Sequence, residues 1–462
     1  MRILLAGTSS DVGKTTVVLG LMRALRNRGL KVQGYKAGPD YIDTAFHTFA
    51  TDVSSRNLDT WMLEEDVIKS LVGKHSKNAD IAIMEGVMGM YDGADVKSLE
   101  GSSAHLAKMT GTPVILVING GGVAASAAAM VLGFKMFDPD VQVKGVIVNK
   151  VSGEHHYNLI KEAIEHHVGI TCLGYLKKNE NISLKSRHLG LIPSVEVKAL
   201  DDKINEVANM IEETCDIEGI MSVAESAQPF EYTGNNEAEK QLKIGVPLDH
   251  AFNFYYQDNI DLLEQMGCEI IHFSPISDEK VPDNIDGLYI GGGFPEVFAK
   301  DLSDNLSMKQ SIKHLIERGL PTYAECGGLM YLTSYITNLK NESFEMVGVF
   351  ENGSKMTERL QRFGYVEVST NRPTPLGKEG LEFKAHEFHR SVVLTEPNQL
   401  DHLMSYDIKK AKKLPVKTWQ CGYMKYNCLG AYPHIHFYSN QDVAKGFIES
   451  CLKYKMENKS EK

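Results

Sequence analysis

No stretch of the chain offers the roughly 18 consecutive apolar residues that a membrane-spanning helix needs, so no membrane partner is expected. The start, Met1-Arg-Ile-Leu-Leu-Ala6, turns at once into a Gly/Ser/Thr loop. It lacks the apolar core and cleavage site of a signal peptide, and the expected location is cytoplasmic. Positive charge is in deficit, since 49 Lys and Arg stand against 60 Asp and Glu for a net charge of −11. That balance excludes broad attraction to nucleic acid, and an anionic substrate would need a local basic pocket. The seven cysteines are scattered, odd in number and never spaced as Cys-x-x-Cys, against both a disulfide framework and a zinc ribbon. No fixed-period repeat occurs and Gly and Pro are ordinary in number, which sets aside collagen-like, coiled-coil and disordered readings.

What remains is a globular chain of 462 residues, long enough for about three domains or two large ones. Short apolar runs at Ile3–Leu5, Val32–Tyr35, Ile81–Met84, Pro113–Ile118 and Val143–Val148 alternate with amphipathic stretches such as Thr15–Arg28. This alternation predicts an α/β fold with a parallel sheet and crossover helices. A polar, aperiodic stretch predicts a linker over 221–242 between a first domain, 1–220, and a second, 243–455, with a charged tail over 456–462. The second domain opens a new alternation that leads to Gly291-Gly-Gly293 and then to Glu325-Cys326-Gly327-Gly328.

Gly7-Thr-Ser-Ser-Asp-Val-Gly13-Lys14-Thr15-Thr16 lies between a predicted strand and a predicted helix, the setting of a phosphate-binding loop. Backbone N–H groups over Ser10, Asp11, Val12, Gly13, Lys14, Thr15 and Thr16 would cradle phosphate, with Lys14 on the β/γ-phosphates and Thr15 on Mg²⁺. Five residues rather than four separate Gly7 from Gly13, a departure from the strict Walker spacing. Glu85 ends a buried strand, where open α/β sheets bind ligands, and a carboxylate there suits Mg²⁺. Alone, Glu85 would more often be a solvated strand end; beside this loop the functional reading is the better one. Lys36, Asp40 and Asp43 follow another predicted strand at the same sheet edge.

Pro321 to Tyr331 reads as a strand, a sharp turn with Cys326 at its apex, and a helix. Such an elbow exposes the sulfur, favours thiolate and lets flanking glycines donate N–H groups to an oxyanion. The Gly291–Gly293 loop is a further source of donors. Two histidines, His434 and His436, offer themselves as general base.

The phosphate loop with Lys36, Glu85 and Asn149-Lys150 resembles the dethiobiotin synthetase-like branch of P-loop proteins. The Cys326 elbow with His434 resembles class I glutamine amidotransferases, which implies a flavodoxin-like second domain. Together with Gly38-Pro-Asp-Tyr-Ile-Asp43, Ser55-Arg-Asn-Leu-Asp59, Glu85-Gly-Val-Met-Gly-Met-Tyr-Asp92-Gly, Ser186-Arg-His-Leu-Gly190 and His386-Glu-Phe-His389, the chain is similar to the cobyrinate a,c-diamide synthase family over residues 1 to about 450.

That resemblance implies an ATP- and Mg²⁺-dependent ligase acting on cobyrinate with L-glutamine as ammonia source, and it leaves a homodimer open. Cys326 would be the nucleophile and His434, the first histidine of the Tyr-x-His-x-His pattern, its activator. An ordinary class I triad has an acid two positions after this histidine; His436 stands there, so a Cys-His dyad is expected. Thr15, Asp43 and Glu85 are the implied magnesium ligands, with Asp40 and Asp59 competing for the place of Asp43. Asn149 would read the adenine edge, and Lys36 would help position carboxylate or phosphate. His386, His389 and Arg390 would face the corrinoid or a domain interface, or be structural. The family's nickel counterpart, Ni-sirohydrochlorin a,c-diamide synthase, is the alternative. A partitioning ATPase is disfavoured because its extra loop lysine is replaced here by Ser9.

Overall fold

The apolar runs of the first half form one seven-stranded sheet in the computed structural model, which describes residues 1–179, 194–232, 238–394, 404–411 and 415–459. Contacts divide the chain into two compact units, Met1–Gly234 and Asn235–Lys462. In the first, the strands are β1 (Arg2–Gly7), β2 (Val32–Ala37), β3 (Arg56–Leu58), β4 (Ile81–Gly89), β5 (Val114–Asn119), β6 (Val143–Val151) and β7 (Thr171–Lys177). They are ordered β3-β2-β4-β1-β5-β6-β7 and all pair in parallel.

Helices cover both faces, so the strands read as unbroken apolar runs; Val114 to Ile118 are fully buried. Helix α1 (Lys14–Asn27) buries Val17, Leu21 and Leu25 at i, i+4, i+8. It packs closely on the helix Ser194–Thr214, where a Cβ on Gly20 would lie 2.4 Å from Val207. Because β4 lies between β2 and β1, the register sets Glu85 beside Lys36 on one side and Leu5 on the other. The functional side chains thus gather at the C-terminal edge by topology alone.

The second unit carries a ten-stranded sheet. Cys268–Phe273, Leu242–Pro247, Gly287–Ile290, Thr322–Glu325 and Cys428–Ala431 run in parallel in that order. The sheet continues antiparallel through Thr418–Lys425, Met404–Lys410, Arg362–Thr370, Glu382–His389 and His434–Ile435. This half of the sheet has no counterpart among the sequence-predicted strands.

Two boundaries differ from expectation. Residues Ile217–Glu225 form a helix with Ile217, Ile220 and Ala224 buried, so the polar stretch begins after it rather than at 221. The expected charged tail is helical to Lys459, continuing the helix Asp442–Lys459. The Ser186–Gly190 block lies outside the described residues. Among the described residues no helix is long and apolar enough to cross a membrane.

Candidate active site

In the first unit, the segment between β1 and α1 takes up its additional residue in a short 3₁₀ turn, Ser10–Val12. Gly13 closes the turn at φ 86°, and a Cβ there would meet the Asn149 amide at 2.3 Å, so both conformation and space demand glycine. Asn149 donates from Nδ2 to the Val12 carbonyl at 2.8 Å, while its Oδ1 accepts from the Lys150 N–H. Lys150, itself at positive φ, donates to the Asp11 carbonyl. The end of β6 is thereby tied to the phosphate loop by two side chains.

Lys14 is buried, and its ammonium donates to the Ser9 carbonyl at 3.4 Å and the Met88 carbonyl at 2.5 Å. Met88 holds the left-handed region, φ 45°, a strained setting for a non-glycine residue. Burial first, then repulsion from Lys36, push the Lys14 ammonium down to about 8. An ammonium whose hydrogen bonds here go to backbone carbonyls is poised for an anion.

Beside it lies a buried charge cluster. Glu85, fully buried, accepts from Thr15 Oγ1 at 2.6 Å and Lys36 Nζ at 3.1 Å through Oε1, and from His47 Nε2 at 2.6 Å through Oε2. Lys36 also reaches Asp43 at 2.5 Å and the Gly86 carbonyl at 3.1 Å. Burial would raise the Glu85 carboxyl, but Lys36, His47 and Thr15 hold it well below the usual carboxylate range. Asp43 fares differently: burial and the Glu85 charge push it up to about 6. The cluster therefore has negative charge to share with a further cation.

Thr15, Asp43 and Glu85 supply only oxygen donors, the chemistry Mg²⁺ prefers, and so fit that ion. Asp40 and Asp59 are engaged in backbone turns instead. Asp40 caps the helix Tyr41–Thr51 through the N–H groups of Ile42 and Asp43, and Asp59 accepts from Trp61 and Met62. His47, with Ser55 on its other ring nitrogen at 3.1 Å, carried no signal in the sequence.

In the second unit, Cys326 sits between the strand Thr322–Glu325 and the helix Gly327–Leu332 at φ 48°. Its N–H is held by the Ala431 carbonyl at 2.7 Å. Its side chain is partly exposed, whereas Cys172, Cys268, Cys421, Cys428 and Cys451 are buried, and burial pushes their thiols up. A Cβ on Gly328 would lie 2.5 Å from the Ile290 carbonyl, so the elbow turns on residues without side chains.

His434 is buried and interacts electrostatically with Cys326. Glu325, fully buried, brings Oε2 to 3.5 Å from His434 Nδ1. Burial works against the imidazolium, yet Cys326 and Glu325 outweigh it and raise His434 to about 10. Gly292 backs the ring: a Cβ there would be 2.6 Å from His434 Cε1. The Gly291 N–H, a candidate oxyanion donor, is taken by Tyr255 OH at 2.9 Å.

His436 is fully buried, 3.9 Å from Asp258, and burial pushes it down to about 4. His389 stacks on Tyr432 at 3.7 Å between ring centres and bonds the Ser391 carbonyl at 2.8 Å. His386 is pushed by burial, then His434 and Lys410, down to about 3, while Arg390 donates to the Glu358 carbonyl at 2.9 Å.

Two family matches span these units. Residues 3–192 match the CobQ/CobB/MinD/ParA nucleotide binding domain, and 243–442 match the CobB/CobQ-like glutamine amidotransferase domain. The chain is 44 % identical over 452 residues to a cobyrinate a,c-diamide synthase of Caldanaerobacter subterraneus subsp. tengcongensis, covering 98 % of each chain. It is 45 % identical over 449 residues to that of Listeria innocua, covering 96 % of this chain and 97 % of the relative. With that of Priestia megaterium it shares 42 % over 460 residues, covering 99 % and 98 %. Among solved structures, PurLQS from Thermotoga maritima overlaps 46 % of this chain and 98 % of its own at a TM-score of 0.33 and 16 % identity.

Proposed function

Because the chain belongs to the cobyrinate a,c-diamide synthase family of glutamine-dependent amide ligases, we propose that it converts the a and c acetate carboxylates of cobyrinate to amides through acyl-phosphate intermediates. The observation that carries the reading is the presence in one chain of a Lys14–Glu85–Lys36 phosphate-loop cluster and a Cys326–His434 couple.

A carboxylate resists attack by ammonia because no good leaving group is present. Transfer of the γ-phosphoryl group of ATP to a carboxylate oxygen releases ADP and creates one. Lys14 meets the negative charge that develops on the phosphates, with loop N–H groups beside it. When bound, Mg²⁺ would neutralise charge on the β- and γ-phosphates, held by Thr15, Asp43 and Glu85. Lys36, kept charged by Glu85 and Asp43, positions the acceptor carboxylate or phosphate. Asn149 serves the adenine edge from the end of β6 and holds the loop through Val12.

In the second unit, Cys326 attacks the glutamine side-chain amide. His434 transfers a proton to the departing ammonia, leaving a thioester that water hydrolyses to glutamate. Ammonia then attacks the acyl phosphate and inorganic phosphate leaves. The location of such chemistry is cytoplasmic.

Two variants divide the labour. Cys326→Ala is expected to abolish glutamine hydrolysis and glutamine-dependent amidation, while Lys14→Ala abolishes amidation and leaves some glutamine hydrolysis. Glutaminase activity surviving in Cys326→Ala, or equal loss of both activities in Lys14→Ala, would refute the division.

A further inference from the structure

The sequence leaves the base without its usual acid. Two positions after His434 stands His436, an imidazole that burial keeps neutral and so unable to orient a cation by charge. Space near His434 is nevertheless not without a carboxylate. The strand Thr322–Glu325 ends one residue before the nucleophile, and its last side chain turns inward rather than to solvent. Glu325 is held there from several directions: Tyr323 OH donates to Oε1 at 2.7 Å, the Ile435 N–H to the same oxygen at 3.1 Å, and Tyr289 OH to Oε2 at 3.4 Å. The Oε2 atom is also the one that faces His434 Nδ1 at 3.5 Å. A buried carboxyl group held by this many donors is fixed in place, as an orienting residue must be.

We infer that Glu325 is the positioning residue that completes the site, holding His434 through Nδ1 so that Nε2 faces Cys326, in the place His436 leaves vacant. This inference rests on the assignment of Cys326 and His434 made above. One consequence concerns architecture: nucleophile and orienting acid are consecutive residues, so the strand that places one places the other. The Ile435 N–H, next to the base in sequence, then clamps the acid through its other oxygen, Oε1. The arrangement uses Glu325 as carboxylate throughout, with the proton moving only between Cys326, His434 and the substrate amide.

Other charged and titratable groups face His434 from the strand Glu382–His389. His386 and His389, pushed by burial to about 3 and about 4, stay neutral, and burial pushes Glu387 up to about 7, below the range in which His434 titrates. The alkaline limb of glutamine hydrolysis therefore reports the coupled Cys326–His434 pair. In the full chain, Glu325→Gln keeps the volume and an acceptor for Tyr323 and Ile435 but removes the charge. It is expected to lower the alkaline limb by about one to two pH units and kcat about 10²-fold, with little change in KM for glutamine.

The ¹⁵N resonances of His434, identified by their loss in His434→Gln, should titrate lower by the same amount. Glu325→Asp, which keeps the charge, should hold the limb nearer the wild-type position and covers the case in which the glutamine variant folds poorly. A Glu325→Gln chain whose limb and His434 titration match the wild type overturns the inference, whatever its rate. A wild-type chain that releases no glutamate from glutamine falls instead on the assignment of Cys326 and His434, and the His434 titration still decides the part played by Glu325.

Discussion

ATP affinity is expected to fall as the pH rises through the range in which Lys14 loses its proton. Lys14 is 5 % exposed, and burial with the nearby Lys36 lowers its ammonium from 10.5 to about 8. If the ammonium form alone grips phosphate, the apparent affinity follows the protonated fraction. Between about pH 7.5 and about pH 9.5 that fraction drops roughly 25-fold, equivalent to about 2 kcal/mol of binding free energy. The sign follows from the depressed value: the grip is complete below 8 and lost above it. ATP phosphates are already ionised across this window, and Asp43, at about 6, titrates below it. Calorimetric titration of the full chain with ATP and Mg²⁺ at a series of pH values measures the effect, with Lys14→Met as the control that binds weakly and without the slope. Wild-type affinity that stays constant across the window would refute the role given to Lys14.

Three other changes are read directly from contacts. Glu85→Ala strips Lys36 of one of its two carboxylates and His47 of its carboxylate partner; urea denaturation should show a loss of about 3 kcal/mol, and an unchanged midpoint contradicts the cluster's energetics. Gly292→Ala puts a methyl 2.6 Å from the His434 ring, so glutamine hydrolysis should fall at least about tenfold; a wild-type rate would show that the ring is not where catalysis needs it. Asn149→Ala removes the bond to the Val12 carbonyl, worth about 1 kcal/mol, and should weaken ATP about fivefold in a binding titration while glutamine hydrolysis is unaffected; loss of both activities would point to general unfolding.

The parts of the site readable in the sequence are those whose chemistry is written in consecutive residues. Gly13-Lys14-Thr15 and the Cys326 elbow each carry their backbone geometry with them, and the parallel sheet follows from apolar runs that have no polar face. Glu85 and Lys36 required the strand order, because only the insertion of β4 between β1 and β2 sets them side by side. His47 could not be found at all: its partner Glu85 is 38 residues away and nothing local marks it. Glu325 is illegible for another reason: it adjoins the nucleophile, but its meaning depends on His434, which a separate strand carries back to it. The helix Ile217–Glu225 was hidden by the polar composition of the segment that follows it, although Ile217, Ile220 and Ala224 keep helical spacing.

The central claim is amide transfer from glutamine to a cobalt corrinoid, and mass spectrometry of the product tests it most directly. The full chain would be given ATP, Mg²⁺ and glutamine labelled with ¹⁵N in its side-chain amide, with cobyrinate in one reaction and Ni-sirohydrochlorin in another. The expected result is cobyrinate carrying two carboxamides, both labelled, with the Cys326→Ala chain yielding no labelled product. Labelled amides on the nickel compound in preference to cobyrinate, or on neither, would contradict the substrate assignment.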